Sequence, residues 1–256
     1  MPLHPATRRL LLLALALPGL CTARPAGAGD VHVAVAANFA VPMKAIAEAF
    51  EKATGHTAVL SSGATGKFYA QIRNGAPFDV LLAADEETPA RLERENAALA
   101  GSRFTYATGK LVLWSADPKR VDARGDVLRR GDFVHLAIAA PRLAPYGAAA
   151  VETLTQLGLL AALEPKFVTG ESIGQTYTFV ASGNAPLGFV ALSQVWENGR
   201  LKSGSAWVVP AQLHRPIRQD ALQLLRSRDN PAAAALMRYL KSDAAKAVIR
   251  SFGYDV

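Results

Sequence analysis

The sequence is poor in cysteine, in charge and in long apolar runs, and each scarcity excludes a class of protein. Cys21 is the only cysteine among 256 residues, so a disulfide framework is excluded. The five histidines show no spacing typical of metal ligands. Only 19% of residues are charged, and no basic run is interleaved with aromatic residues, which argues against a nucleic-acid surface. No apolar run reaches the roughly 20 residues that span a bilayer.

The N-terminus has the three parts of a secretory signal. A basic pair at Arg8 precedes an apolar run over 10–17, and small residues with candidate cleavage sites after Ala23 or Ala28 follow. We therefore assign 1–28 to a signal peptide and expect a periplasmic protein. Lipidation at Cys21 stays open, because the preceding leucine fits a lipidation motif poorly.

The mature chain alternates short apolar strands with helical stretches, which predicts an α/β protein with mixed, mostly parallel sheets flanked by helices. Two long extended segments bracket the middle of the chain. We therefore expect two lobes joined by two crossing strands, with 29–107 and 211–256 in lobe 1 and 108–210 in lobe 2. Hinges are expected near 104–110 and 209–215, with the lobes closing on a ligand between them.

Four turns share one form, in which an apolar strand, small or polar residues and a helix follow one another. They lie at Asn38, Thr65, Tyr146 and Ile173. Each turn would aim unpaired backbone N–H groups and the positive end of a helix dipole at the same cleft. Such a cleft favours an anion without any cationic side chain. The alternative is a purely structural role, in which Asn38 only caps a helix, as such residues do in any α/β protein.

Several segments, read together and in order, resemble the periplasmic molybdate-binding receptors of ABC transporters. The similarity covers essentially all of residues 31–256. It rests on AANFA (36–40), SSGATGKFYAQIRNGAPFDVLLAAD (61–85), TGKLVLW (108–114), LAPYGAAA (143–150), GESIGQTYTFVASGNAPLGFVA (170–191) and FGY (252–254).

The resemblance implies a two-lobed, type II-like binding protein that holds molybdate or tungstate by neutral hydrogen bonds and delivers it to an inner-membrane permease. It implies side-chain donors at Asn38 and Thr65, and backbone N–H donors at Tyr146 and Ile173. The chain departs from the family pattern in two places. Ala191 stands where many members have a tyrosine, so we expect the Tyr146 hydroxyl to compensate. Thr65 replaces the usual serine, which leaves Ser62 as an alternative donor.

We expect a monomer without enzymatic activity, without a nucleic-acid partner and without a resident cofactor or metal, the metal oxyanion being its cargo. Two alternatives stay open. Within the same fold, the ligand could be another tetrahedral oxyanion such as sulfate, which only the size of the cavity excludes. The segment GESIG also matches the serine hydrolase motif around Ser172, although His214 is the only histidine downstream and no convincing acid lies between them. Glu171 is the only acid adjacent to the four turns.

Overall fold

The structure is a computed structural model and describes residues 27–256. Nearly all of the expected signal peptide, including Cys21 and the cleavage site after Ala23, lies outside the described residues. The strands are β1 (Asp30–Ala36), β2 (Thr57–Gly63), β3 (Val80–Leu82), β4 (Phe104–Gly109), β5 (Leu111–Ser115), β6 (Leu136–Ala139), β7 (Phe167–Gly170), β8 (Leu187–Ala191), β9 (Trp196–Glu197), β10 (Arg200–Leu201), β11 (Ser205–Val208) and β12 (Ile217–Gln223). The helices are α1 (Ala40–Thr54), α2 (Thr65–Arg73), α3 (Glu87–Arg94), α4 (Val127–Arg130), α5 (Pro145–Gln156), α6 (Leu160–Leu163), α7 (Ile173–Ala181), α8 (Leu192–Val195), α9 (Pro231–Tyr239) and α10 (Asp243–Ser251).

Two five-stranded sheets form the centres of two α/β lobes. The first sheet has the order β2-β1-β3-β12-β4 and the second the order β11-β5-β8-β6-β7, while β9 and β10 form a small separate hairpin. Each large sheet has two parallel and two antiparallel pairings. The sheets are thus more evenly mixed than expected, because the strands next to the lobe crossings, β4, β5, β11 and β12, pair antiparallel with their neighbours.

The chain crosses between the sheets twice. It leaves the first sheet after Gly109 and enters the second at Leu111, and it returns between Val208 and Ile217. These crossings lie in the segments where the sequence predicts hinges. The lobe boundaries themselves remain a prediction.

The first lobe packs α1 on its sheet through one apolar face. Met43, Ile46 and Phe50 are fully buried, and they recur at the spacing of one helix face. The helix ends at Gly55, which adopts a positive φ of 75° and donates its N–H to Glu51 O. A short 3-10 turn over Ala37–Phe39 joins β1 to α1 and carries Asn38. The strand–turn–helix pattern of the sequence therefore determines this part of the fold.

Helices α5 and α7 begin earlier than the sequence suggested. The strand–turn–helix pattern places Tyr146 and Ile173 in turns that precede helices, whereas the helices already start at Pro145 and Ile173. Proline suits a first helical position because it has no N–H to leave unpaired. Ser172 caps α7, since its Oγ accepts a hydrogen bond from the N–H of Gln175 at 3.2 Å. Tyr146 and Ile173 consequently lie in the first turns of their helices.

Within residues 27–256, no single helix is long and apolar enough to cross a membrane. One bent pair of helical segments, α5 with Leu160–Lys166, has the length and composition of a membrane span, but these two properties are the only ones that suggest it.

Candidate functional site

Six buried polar side chains form a cluster where the two lobes meet, which we call the inter-lobe polar cluster. At most 4% of any member is exposed to solvent. They come from six separate segments of the chain: Asn38, Tyr106, Tyr146, Ser193, Gln219 and Tyr254. A buried polar group must find a partner or lose free energy, so the hydrogen bonds of this cluster can be counted one by one.

Gln219 lies at the centre of the cluster, on β12 next to a register shift in that strand. Its Oε1 lies 2.8 Å from Asn38 Nδ2 and 3.0 Å from the hydroxyl of Tyr106. Its Nε2 lies 3.0 Å from the hydroxyl of Tyr146 in the other lobe. One amide of the first lobe thus contacts two of the four predicted turns.

Tyr254 forms the second half of the cluster, close to the C-terminus. Its hydroxyl lies 2.9 Å from Asn38 Nδ2, 3.0 Å from the backbone oxygen of Asn38 and 2.9 Å from Ser193 Oγ. Ser193 also donates to the backbone oxygen of Asn38 at 2.8 Å. Both hydrogens of Asn38 Nδ2 thereby find protein acceptors, whereas its buried Oδ1 has no protein partner within the described residues.

The three tyrosines of the cluster stay protonated. Burial raises the pKa of Tyr106 and of Tyr146 well above the usual value, and it raises the pKa of Tyr254 to about 12. No phenolate therefore forms in this region near neutral pH, and the hydroxyl groups do not repel an anion.

Thr65 opens α2 and is 1% exposed. Its Oγ1 accepts a hydrogen bond from the N–H of Ala84 at 3.0 Å, so the hydrogen of the hydroxyl remains free to be donated. Ser62, the other hydroxyl considered from the sequence, is exposed on β2. Of the two, only Thr65 has an enclosed hydroxyl.

Ile173 begins α7, and its side chain is buried. The first N–H groups of a helix have no acceptor within the helix. The start of α7 also lies against the turn that carries Asn38, because a Cβ on Gly174 would meet the Cβ of Ala37 at 3.3 Å. Gln194 supports this turn by donating from Nε2 to the backbone oxygen of Ile173 at 3.1 Å.

Direct contacts between the lobes show a closed arrangement. The N–H of Gly66 donates to the backbone oxygen of Leu143 at 3.0 Å. A Cβ on Gly66 would lie 3.1 Å from Leu143 Cα, so a larger residue here would have to push the loop away by a few tenths of an ångström. Lys67 also pairs with Glu171 across the cleft. The one acid adjacent to the four turns is therefore directed towards a lysine.

The four predicted positions are thus brought together through short chains of contacts. Gly66 connects the turn of Thr65 to the loop before Tyr146, and Gln219 connects Tyr146 to Asn38. Four members of the cluster are not predicted from the sequence: Gln219, Tyr106, Ser193 and Tyr254. The available signals are the polar residues in the buried stretch of β12 over 219–223 and the FGY segment near the C-terminus.

A cleft of about 460 Å³ opens between the lobes beside the cluster. Its lining includes charges of both signs, among them Asp85, Arg142, Glu152 and Arg215, and none of the four predicted positions. The four predicted positions are buried instead, and Gly66 and Pro145, next to Thr65 and Tyr146, line the cleft. Within residues 27–256, no group of three or more His, Cys, Asp or Glu residues could hold a metal ion.

Residues 31–255 match the family described as bacterial extracellular solute-binding proteins. The chain belongs to this family. It is 58% identical to the molybdate-binding protein ModA of Azotobacter vinelandii over 95% of this chain and 97% of that protein. It is 51% identical to ModA of Rhodobacter capsulatus over 98% of this chain and 97% of that protein.

Solved structures show the same fold. A periplasmic molybdate-binding protein of Azotobacter vinelandii matches with a TM-score of 0.86 and 44% identity over 88% of this chain and 99% of that chain. The sulfate-binding protein SubI of Mycobacterium tuberculosis matches with a TM-score of 0.73 but only 12% identity over 88% of this chain and 86% of that chain, which is a likeness of fold alone. The two-lobed α/β architecture is confirmed.

The serine hydrolase alternative gains no support from this structure. The Ser172 hydroxyl is used as a helix cap, and among the described residues its hydrogen-bond partners include no histidine. His214 Nδ1 instead contacts the backbone oxygen of Arg215 at 2.7 Å. The relatives at 58% and 51% identity are molybdate-binding proteins, and the family is that of bacterial extracellular solute-binding proteins.

Proposed function

We propose that this protein is the periplasmic receptor of an ABC transporter that captures molybdate, and tungstate with it, between its lobes and delivers it to an inner-membrane permease. The family membership and the two ModA relatives support the transport role. The observation that supports the ligand class is the convergence of helix N-termini and protonated hydroxyls in a closed, buried interface. The oxyanion is cargo, and we expect no resident cofactor.

The donor chemistry suits an anion that carries no proton. Molybdate is fully deprotonated at neutral pH, so its oxygens need donors only, whereas hydrogen phosphate also needs an acceptor for its proton. The nearby carboxylate, Glu171, already pairs with Lys67. In our proposal, the Thr65 hydroxyl, the Asn38 side chain and the backbone N–H groups of Tyr146 and Ile173 hold the oxyanion.

Isothermal titration of the purified mature protein tests this function. Molybdate, tungstate, sulfate and phosphate are added in turn to the chain without its first 28 residues. We expect tight one-to-one binding of molybdate and tungstate, and no heat from sulfate or phosphate. Sulfate binding as tight as molybdate binding would make the protein a general oxyanion receptor, and no heat from any of the four would refute the proposal.

A further inference from the structure

Two hydrogen-bond defects remain in the inter-lobe polar cluster. The first is Asn38 Oδ1, which is buried and has no partner among the described residues. The second is at Tyr106, whose hydroxyl lies 3.0 Å from two acceptors, the backbone oxygen of Ala83 and Gln219 Oε1. Its pKa is raised by burial, so the hydroxyl keeps one hydrogen, and one hydrogen serves only one of the two acceptors.

One change, the inversion of two side-chain amides, removes the defect at Tyr106 and turns the unpartnered acceptor of Asn38 into a donor. The oxygen and nitrogen of a side-chain amide have nearly the same shape, and their hydrogen-bond partners decide which is which. If the amide of Gln219 is inverted, Nε2 donates to Tyr106, and Tyr106 donates its single hydrogen to Ala83. If the amide of Asn38 is inverted as well, its Oδ1 accepts from Gln219 Nε2 and from the Tyr254 hydroxyl.

The two amides can only invert together. They face each other at 2.8 Å, with Asn38 Nδ2 donating to Gln219 Oε1. Inverting Asn38 alone would place two acceptors against each other, and inverting Gln219 alone would place two donors together. The backbone oxygen of Asn38 keeps its hydrogen bond from Ser193 in either arrangement. Gln219 therefore dictates which end of the Asn38 amide meets the remaining, unpartnered position.

We infer that Gln219 is a positioning residue for the oxyanion, and that it acts by holding the inverted amide of Asn38 with its NH₂ group towards the ligand. This inference rests on the proposed function. After the inversion, the buried position of the unpartnered Asn38 Oδ1 is occupied by Nδ2, whose two hydrogens have no protein acceptor. An enclosed oxyanion would accept these hydrogens. A carbonyl oxygen there would repel the same anion.

The inversion also changes the role of the Tyr146 hydroxyl. In the inverted arrangement, Gln219 Oε1 faces this hydroxyl and accepts its hydrogen across the contact of 3.0 Å. The hydroxyl then binds the protein and not the ligand, so Tyr146 contributes to the oxyanion site through its backbone. This differs from the expectation that the Tyr146 hydroxyl compensates for the tyrosine replaced by Ala191.

Two double-mutant cycles in molybdate affinity separate these arrangements. The variants are Asn38→Ala, Gln219→Met and Tyr146→Phe, with the pairs Asn38→Ala/Gln219→Met and Tyr146→Phe/Gln219→Met. We expect Asn38→Ala and Gln219→Met each to weaken binding by about ten- to a hundredfold, the range for a hydrogen bond to a charged partner. The Asn38→Ala/Gln219→Met variant should bind no more weakly than the weaker of the two single variants, because Gln219 acts through Asn38. Tyr146→Phe should change the affinity less than about threefold, since its hydroxyl bonds a neutral amide of the protein.

Gln223→Met is the matched control. Gln223 lies on the same strand, is buried, and donates to the backbone oxygen of Ser227 at 2.8 Å, but it does not belong to the cluster. It should lower the thermal stability and leave the affinity unchanged. The inference is overturned if Tyr146→Phe weakens binding as much as Asn38→Ala, or if the effects of Asn38→Ala and Gln219→Met add. Wild-type protein that does not bind molybdate would instead overturn the proposed function, and the inference with it.

Discussion

Replacing Thr65 by valine should separate the two tasks of its hydroxyl. The side chains have the same shape, so the packing of this buried position is kept while the oxygen is lost. The hydroxyl accepts from the N–H of Ala84 at 3.0 Å, and in our proposal it donates its hydrogen to the oxyanion. Thr65→Val thus removes one hydrogen bond inside the protein and one to the ligand.

The two losses have different magnitudes and appear in different assays. The buried N–H of Ala84 is left without an acceptor, which should cost about 1–3 kcal/mol in the free energy of unfolding of the ligand-free protein. The lost bond to a charged ligand should cost about 1.5–3 kcal/mol of binding, or roughly ten- to a hundredfold in Kd. Urea titration measures the first cost, and isothermal titration with molybdate measures the second.

Two further variants serve as controls for this prediction. Thr65→Ser keeps the hydroxyl and should bind within about fourfold of the wild type, because the loss of one buried methyl group costs at most about 0.8 kcal/mol of free energy. Ser62→Ala removes an exposed hydroxyl and should change neither quantity. The reasoning fails if Thr65→Val binds molybdate as the wild type does, or if Ser62→Ala weakens binding and Thr65→Val does not.

Two other predictions concern the inter-lobe polar cluster. A Cβ on Gly109 would overlap the Tyr146 hydroxyl and the Gln219 amide, so Gly109→Ala should lower the free energy of unfolding by about 1–3 kcal/mol and weaken molybdate binding. Gly29→Ala is the control, because a Cβ there would meet nothing closer than 3.8 Å. Equal melting temperatures for the two variants would contradict the close approach at Gly109. Burial raises the pKa of Tyr254 from 10.0 to about 12, so the folded chain keeps this proton to a higher pH than the unfolded chain does. The contribution of Tyr254 to the free energy of unfolding is therefore fully present below about pH 10 and is lost as the pH rises towards 12. In urea titrations across this range, Tyr254→Phe should reduce the decline of stability with pH. An unchanged decline would count against the burial effect.

Much of the fold follows from local patterns in the chain. The buried face of α1 has the period of a helix, and a glycine ends the helix at Gly55. Helices α5 and α7 start earlier than the pattern of apolar residues predicts, because Pro145 and Ser172 act as start signals that this pattern does not contain. The evenly mixed pairing in the sheets was also not visible, since strand direction depends on which strands become neighbours after the chain crosses between lobes.

Local sequence patterns are sufficient to predict the strand–turn–helix units and the four turns at Asn38, Thr65, Tyr146 and Ile173, and the scarcity of cysteine excludes disulfides. These properties depend on residues close together in the chain. The long-range contacts depend on the tertiary fold instead: Gln219 and Tyr254, 181 and 216 residues from Asn38, bond to its side chain, and Glu171 pairs with Lys67. Such partners are chosen by the packing of the two lobes, because a buried polar group takes whichever donor or acceptor the fold brings within reach.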